Sequence, residues 1–163
     1  MKIIYHCYGG AHSSITAASV HLGWLPTDRI PSTRELHDLP YFDRTIQKDH
    51  GNIRFMGNDD FGNQVYVVGR RNMSHIFENM SYGLVDIYGL TGKIYLINVM
   101  PCVNWKMVIG GFTSRKLGIT PLGRPIITAG VKYSYWQIVS LVQRIKVCLA
   151  SDNGRVDLVR EEK

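Results

Sequence analysis

Cysteine is scarce in this chain: three residues, Cys7, Cys102 and Cys148, among 163, widely separated and without a CxxC pair. That excludes a disulfide-stapled secreted scaffold and suits a reducing compartment, so a cytoplasmic location is expected. Long apolar runs are missing as well. None approaches the roughly 20 residues that a spanning helix needs, and no membrane partner is expected. The apolar stretch at Met1 to Tyr8 is too short for a signal peptide and reads as a strand. Metal-ligand spacings such as HExxH are absent among His6, His12, His21, His37, His50 and His75, so no metal site is expected. Repeats, linkers and low-complexity segments are lacking too, which leaves neither collagen nor a coiled coil.

Acidic residues are the minority: 13 Asp and Glu against 19 Lys and Arg, a formal charge of +6. The basic residues are scattered in short pairs, Arg70-Arg71 and Arg115-Lys116. Such a balance permits an anionic metabolite, while nucleic acid is not the expected partner.

What is present is an ordinary globular composition, 45% hydrophobic and 20% charged, long enough for one domain with a core of its own. The expected domain is 1–150, with 151–163 a polar tail. Lys2 to Tyr8 reads as a buried strand stopped by Gly9-Gly10. Ser13 or Ser14 would cap a helix with Ile15, Ala18 and Leu22 inward, ended by Gly23. Pro26, Pro31 and Pro40 make the next stretch irregular, with a short helix near Thr33 to Asp38. Ile53–Met56 and Val65–Val68 form a hairpin around the polar stretch Asn58 to Asn63. Met73 to Tyr88 places Ile76, Met80, Leu84 and Ile87 on one helical face. A strand over Lys93–Val99, a helix over Trp105–Leu117 containing Gly110-Gly111 and a strand over Pro125–Val131 follow. The final helix starts at a Ser134/Gln137 capping box and carries the stripe Tyr135, Ile138, Val142, Ile145 and Leu149. The alternation implies an α/β fold of three layers, with a mainly parallel sheet, a β-hairpin and a P-loop or Rossmann-like opening.

The segment His6-Cys7-Tyr8-Gly9-Gly10-Ala11-His12-Ser13-Ser14 carries the chemistry. A glycine turn between a strand and a helix front exposes backbone N–H groups, and the helix dipole favours an anion there. A Walker A loop laid on it puts His12 where the lysine belongs and Ser13 where the Mg²⁺-binding hydroxyl belongs. It also needs glycine where Ala11 and His6 stand, and Asn98 replaces the Walker B aspartate, so efficient NTP hydrolysis is not expected. A cysteine phosphatase loop, HC-x5-R-[ST], brings His6, Cys7, Gly10 and Ser14 into register, in a setting that resembles low-molecular-weight tyrosine phosphatases and arsenate reductases. Ser13 stands where its arginine belongs. Cys7 is the candidate nucleophile of that reading. Arg115 or Arg124 would supply the missing cation. The expected ligand-binding set is therefore Gly9, Gly10, Ala11, His12, Ser13, Ser14, Arg115 and Arg124, and the expected ligand is a phosphate-bearing small molecule.

Several segments resemble an uncharacterised family of short proteins from spore-forming Firmicutes, described as a domain of unknown function. They are Ile3 to His6 with Gly9 to Ser14, His21 to Pro26, Leu39 to Asp43, Gly57 to Gly69, Ile109 to Gly111 with Ser114-Arg115, and Gly123 to Pro125. The resemblance runs to the last helix and implies no activity; it implies a sporulation setting. Two other readings stand beside ligand binding: a phosphatase-like or arsenate-reductase-like enzyme using Cys7, and a non-catalytic interaction protein. Cofactor and oligomeric state stay open.

Overall fold

The computed structural model describes residues 1–91, 93–111 and 120–151. The chain runs β1 (Lys2–Cys7), α1 (Ser13–His21), α2 (Thr33–His37), β2 (Arg54–Asn58), β3 (Gln64–Gly69), α3 (Ser74–Ile87), β4 (Ile94–Asn98), α4 (Trp105–Gly111), α5 (Thr120–Tyr133) and α6 (Tyr135–Ser151). The four strands form one mixed sheet in the order β2-β3-β1-β4. β1 lies at its centre, parallel to β3 and β4, and β2 is the antiparallel edge strand of the hairpin.

Alternation along β1 divides the core. Ile3 and Tyr5 enter the larger apolar cluster with Val65, Val67, Ile97 and residues of α1, α5 and α6. Ile4 faces the other way, into a small cluster with Val68 and Phe77 of α3. Helices therefore cover both faces of the sheet, and α1 and α3 leave adjacent parallel strands to opposite sides. The short α2 is held by a full capping box in which Ser32 Oγ accepts from Glu35 N–H and Glu35 accepts from Ser32 N–H.

Three expectations need correction. Pro125–Val131 is no strand; it belongs to α5, with Pro125 inside the helix. The β-branched run Ile126-Ile127-Thr128 suggests a strand locally, but Ile127 and Val131 lie four apart and are both sealed from solvent. The bare glycines of the seam let α4 and α5 meet closely: a Cβ on Gly110 would lie 2.7 Å from the Ile127 nitrogen, and one on Gly130 would lie 2.9 Å from the Met107 nitrogen. Close packing thus accounts for Gly110 inside a helix. Secondly, α3 is turned by about one residue, roughly 100°. Phe77 and Val85 are its buried side chains, while Ile76, Met80, Leu84 and Ile87 are exposed. Thirdly, the residue capping α1 is His12, at φ −132° and ψ −80° and without a side-chain cap bond. Ser13 and Ser14 stand inside the first turn.

At α6, Tyr135, Ile138 and Val142 are buried as the stripe requires. The Ser134 hydroxyl accepts from Asn104 Nδ2 at 2.8 Å. The expected continuation of α4 to Leu117 and the tail beyond Ser151 lie outside the described residues.

Candidate functional site at the first strand-to-helix turn

The turn after β1 is built on a contact between two pieces of backbone. Gly10 has φ +64°, and a Cβ there would lie 2.5 Å from the nitrogen of Gly69, the last residue of β3. A Cβ on Gly69 would in turn lie 2.6 Å from the Gly9 carbonyl. Two glycines, Gly10 and Gly69, therefore let the turn lie flat on the end of the neighbouring strand. The parallel ladder continues past them, with Arg70 N–H on the Cys7 carbonyl at 3.0 Å and Arg71 N–H on the Tyr8 carbonyl at 2.8 Å. The turn thus sits at the carboxyl ends of β1 and β3, whose following helices go to opposite faces. Open α/β sheets hold ligands at such a point.

Two of its carbonyls are engaged: Ala11 O accepts from Asp43 N–H at 3.1 Å, and Gly10 O accepts from Thr45 Oγ1 at 3.3 Å. Its amides are not. Gly10 N–H donates to Cys7 Sγ at 3.2 Å, but the N–H groups of Ala11, His12, Ser13, Ser14 and Ile15 meet no acceptor among the described residues. These are the donors a helix front leaves open, together with the positive end of its dipole. Ser13 is only 2% exposed, and its hydroxyl has no hydrogen-bond partner among the described residues.

Cys7 lies beneath the turn, 3% exposed. Its thiol donates to Ser14 Oγ at 3.2 Å. Sulfur, Gly10 amide and Ser14 hydroxyl form one small buried cluster at the start of α1.

Beside the turn stands a second cluster. Asp43, its carboxylate 2% exposed, accepts from His12 Nε2 at 3.2 Å through Oδ1 and from Arg124 Nε at 3.1 Å through Oδ2. Phe42 meets the His12 ring edge-on, centroids 5.4 Å apart. Arg124, the fifth residue of α5, is 47% exposed. Of the two cations expected at the turn, Arg124 thus reaches it through Asp43. Arg115 lies outside the described residues.

On the opposite face of the sheet, Arg70 Nε donates to His6 Nδ1 at 3.0 Å, and Arg70 Nη2 donates to Asn98 Oδ1 at 3.3 Å. Burial and the Arg70 charge push the His6 imidazole down to about 3, so it stays neutral. His6 and Asn98, weighed in sequence as parts of phosphate loops, are here tied to one guanidinium at the strand ends. A third buried network is structural. His21 Nε2–H donates to Asp59 at 3.0 Å, which leaves Nδ1 to accept from the Tyr5 hydroxyl at 2.7 Å. Burial lowers the His21 pKa, opposed by the Asp59 hydrogen bond. Burial pushes the Asp59 carboxyl up, but hydrogen bonds from Asn63, His21 and the Phe61 amide bring it below its ordinary value.

Comparison with known proteins decides the family. The model described as "Protein of unknown function (DUF3189)" matches residues 2–147. The chain belongs to that family. No curated protein and no solved structure matches it. The DUF3189 span takes in the whole turn together with Asp43 and Arg124. Within this DUF3189 chain no helix among the described residues is long and apolar enough to cross a membrane. No group of three His, Cys, Asp or Glu side chains among them is arranged to hold a metal ion.

Sequence reasoning missed Asp43 and Arg70. Asp43 lies 31 residues from His12 and 81 from Arg124, beyond the reach of any local pattern. The usable signal was its position at the end of Leu39-Pro40-Tyr41-Phe42-Asp43, one of the segments carrying the family resemblance. Two cavities open elsewhere. One of about 200 Å³ is bordered by Asp59, Phe61 and Lys146, and one of about 450 Å³ by Trp24, Asp38 and Pro40. Neither is lined by residues of the turn.

Proposed function

We propose that the protein binds a phosphate-bearing small ligand at Gly9 to Ser14, inside the cell, with Arg124 as auxiliary cation. One observation carries the reading: successive N–H groups from Ala11 to Ile15 have no acceptor among the described residues. An oxyanion there completes the hydrogen bonds of a helix front and meets its dipole. Arg124 is held to Asp43 by its Nε and stays half exposed, which keeps a guanidinium charge beside His12. Thermal unfolding with inorganic phosphate, sugar phosphates and nucleotides tests it. At 100 times its dissociation constant, a true ligand adds about 2.7 kcal/mol. No stabilisation by any member of that panel contradicts the reading.

A second reading, a Cys7-dependent phosphatase-like or reductase-like enzyme, draws support from the Cys7–Ser14 contact. The serine lies where the phosphatase loop places the hydroxyl that faces its sulfur. Alkylation of Cys7 by iodoacetamide, followed across pH by mass spectrometry, tests it. A reactive thiolate at neutral pH, blocked by phosphate, is the expected result; an inert thiol dismisses it.

A further inference from the structure

We infer that His12 is the general base of a phosphate-monoester hydrolase at this turn, with Asp43 its positioning residue. The inference rests on the phosphate-binding reading above and adds a reaction to it.

The Asp43 carboxylate accepts from His12 Nε2, so the neutral ring carries its proton there. Nδ1 is left with its lone pair and has no hydrogen bond among the described residues. His12 is also the residue that caps α1, so its ring stems from the backbone position next to the open amides of the proposed site. The ring is braced on one side by Phe42, and Gly111 lies near its Cε1 edge. Asp43 itself lies in the left-handed region at φ +51°, which Asp visits more readily than most side chains do. A buried carboxylate that fixes the tautomer of a partly exposed histidine at the front of α1 is more than a surface ion pair requires.

The step balances without further reagents. A water oxygen attacks phosphorus while His12 Nδ1 takes its proton, and the Asp43 carboxylate stabilises the imidazolium. The bond from phosphorus to the ester oxygen breaks, its electron pair leaving with that oxygen. The imidazolium then returns the proton to the leaving alkoxide or aryloxide. The α1 amides and Arg124 meet the phosphoryl oxygens.

The test follows hydrolysis of p-nitrophenyl phosphate by the full chain, beside binding of inorganic phosphate by calorimetry. Asp43→Asn is informative because Arg124 Nε–H claims the amide oxygen. The amide N–H then faces His12 and drives the ring proton onto Nδ1. The expected result is a kcat lower by about 10³- to 10⁴-fold, phosphate affinity changed only a few-fold, and a tautomer switch in the imidazole ¹⁵N spectrum. His12→Gly keeps a residue tolerated at a helix cap. It is expected to lose activity and regain it with added imidazole, a rescue that no structural role provides. Phosphate binding without turnover by the wild-type chain overturns this inference and leaves the binding reading intact. Turnover that survives His12→Gly overturns it as well. Absence of phosphate binding overturns the reading beneath it.

Discussion

A single methyl group probes the turn most sharply. Gly69→Ala places a Cβ 2.6 Å from the Gly9 carbonyl, where only backbone can move. Urea denaturation should show a loss of about 2 kcal/mol or more, and Gly10→Ala adds left-handed strain to a similar clash. A second residue-scale prediction concerns acid. The His6 pKa falls to about 3 in the folded protein from an ordinary 6.5. A depressed value contributes stability that is present above the unfolded pKa and lost as pH falls toward the folded one, because the unfolded chain takes up the proton first. Stability should therefore decline from about pH 6.5 toward 3, by up to about 1.4 kcal/mol per pH unit for this one group. His6→Asn should flatten that limb; an unchanged limb in chemical denaturation across pH contradicts the assignment. His21 acts in the same direction, and Glu35, held down to about 2 chiefly by Arg29, acts only at more acid pH. The strand-to-helix turn at Gly9, Gly10 and His12 was legible in the sequence, because a glycine pair after an apolar run has local meaning. Arg124 was singled out as a cation ahead of a strand that is in fact helix. Asp43 was not, since its role exists only once a loop folds back onto the turn.

At the scale of elements, the helix α5 is the instructive failure. Ile126, Ile127 and Thr128 favour a strand by propensity, yet the bare seam with α4 rewards a helix that buries Ile127 and Val131. Tertiary packing outweighed local preference. The seam predicts opposite outcomes for like substitutions. Gly110→Ala gains about 1 kcal/mol of helix propensity, but its Cβ meets the Ile127 backbone nitrogen at 2.7 Å, so a net loss of about 1–3 kcal/mol is expected. Gly83→Ala, on α3 where nothing lies within 4 Å, should gain about 0.5–1 kcal/mol. Thermal melts of the two variants check the pair. The 3.6-residue period of α3 was legible, but its buried face was not, because two overlapping apolar rows run along it. The sheet decides between them, and it presents only Ile4, Val68 and their neighbours to Phe77. Ile87 is 77% exposed, so Ile87→Lys should leave stability within about 0.5 kcal/mol.

For the whole molecule, the mixed α/β architecture followed from alternation of short apolar runs with helical periods, and the hairpin followed from its turn residues. Strand order did not, because nothing local distinguishes β2-β3-β1-β4 from its alternatives. That order nevertheless makes the site: with β1 beside β3 and their helices on opposite faces, Gly69 backs the glycine turn, and the front of α1 opens at the strand ends. The central claim is that those amides hold an oxyanion. Its most direct measurement is a phosphate titration followed by ¹H–¹⁵N correlation NMR of the assigned chain. The account predicts saturable shifts concentrated on the amides of Ala11 to Ile15, weakened by Arg124→Gln. Shifts scattered over the basic surface, or amides of the turn that stay fixed while phosphate rises, would contradict it.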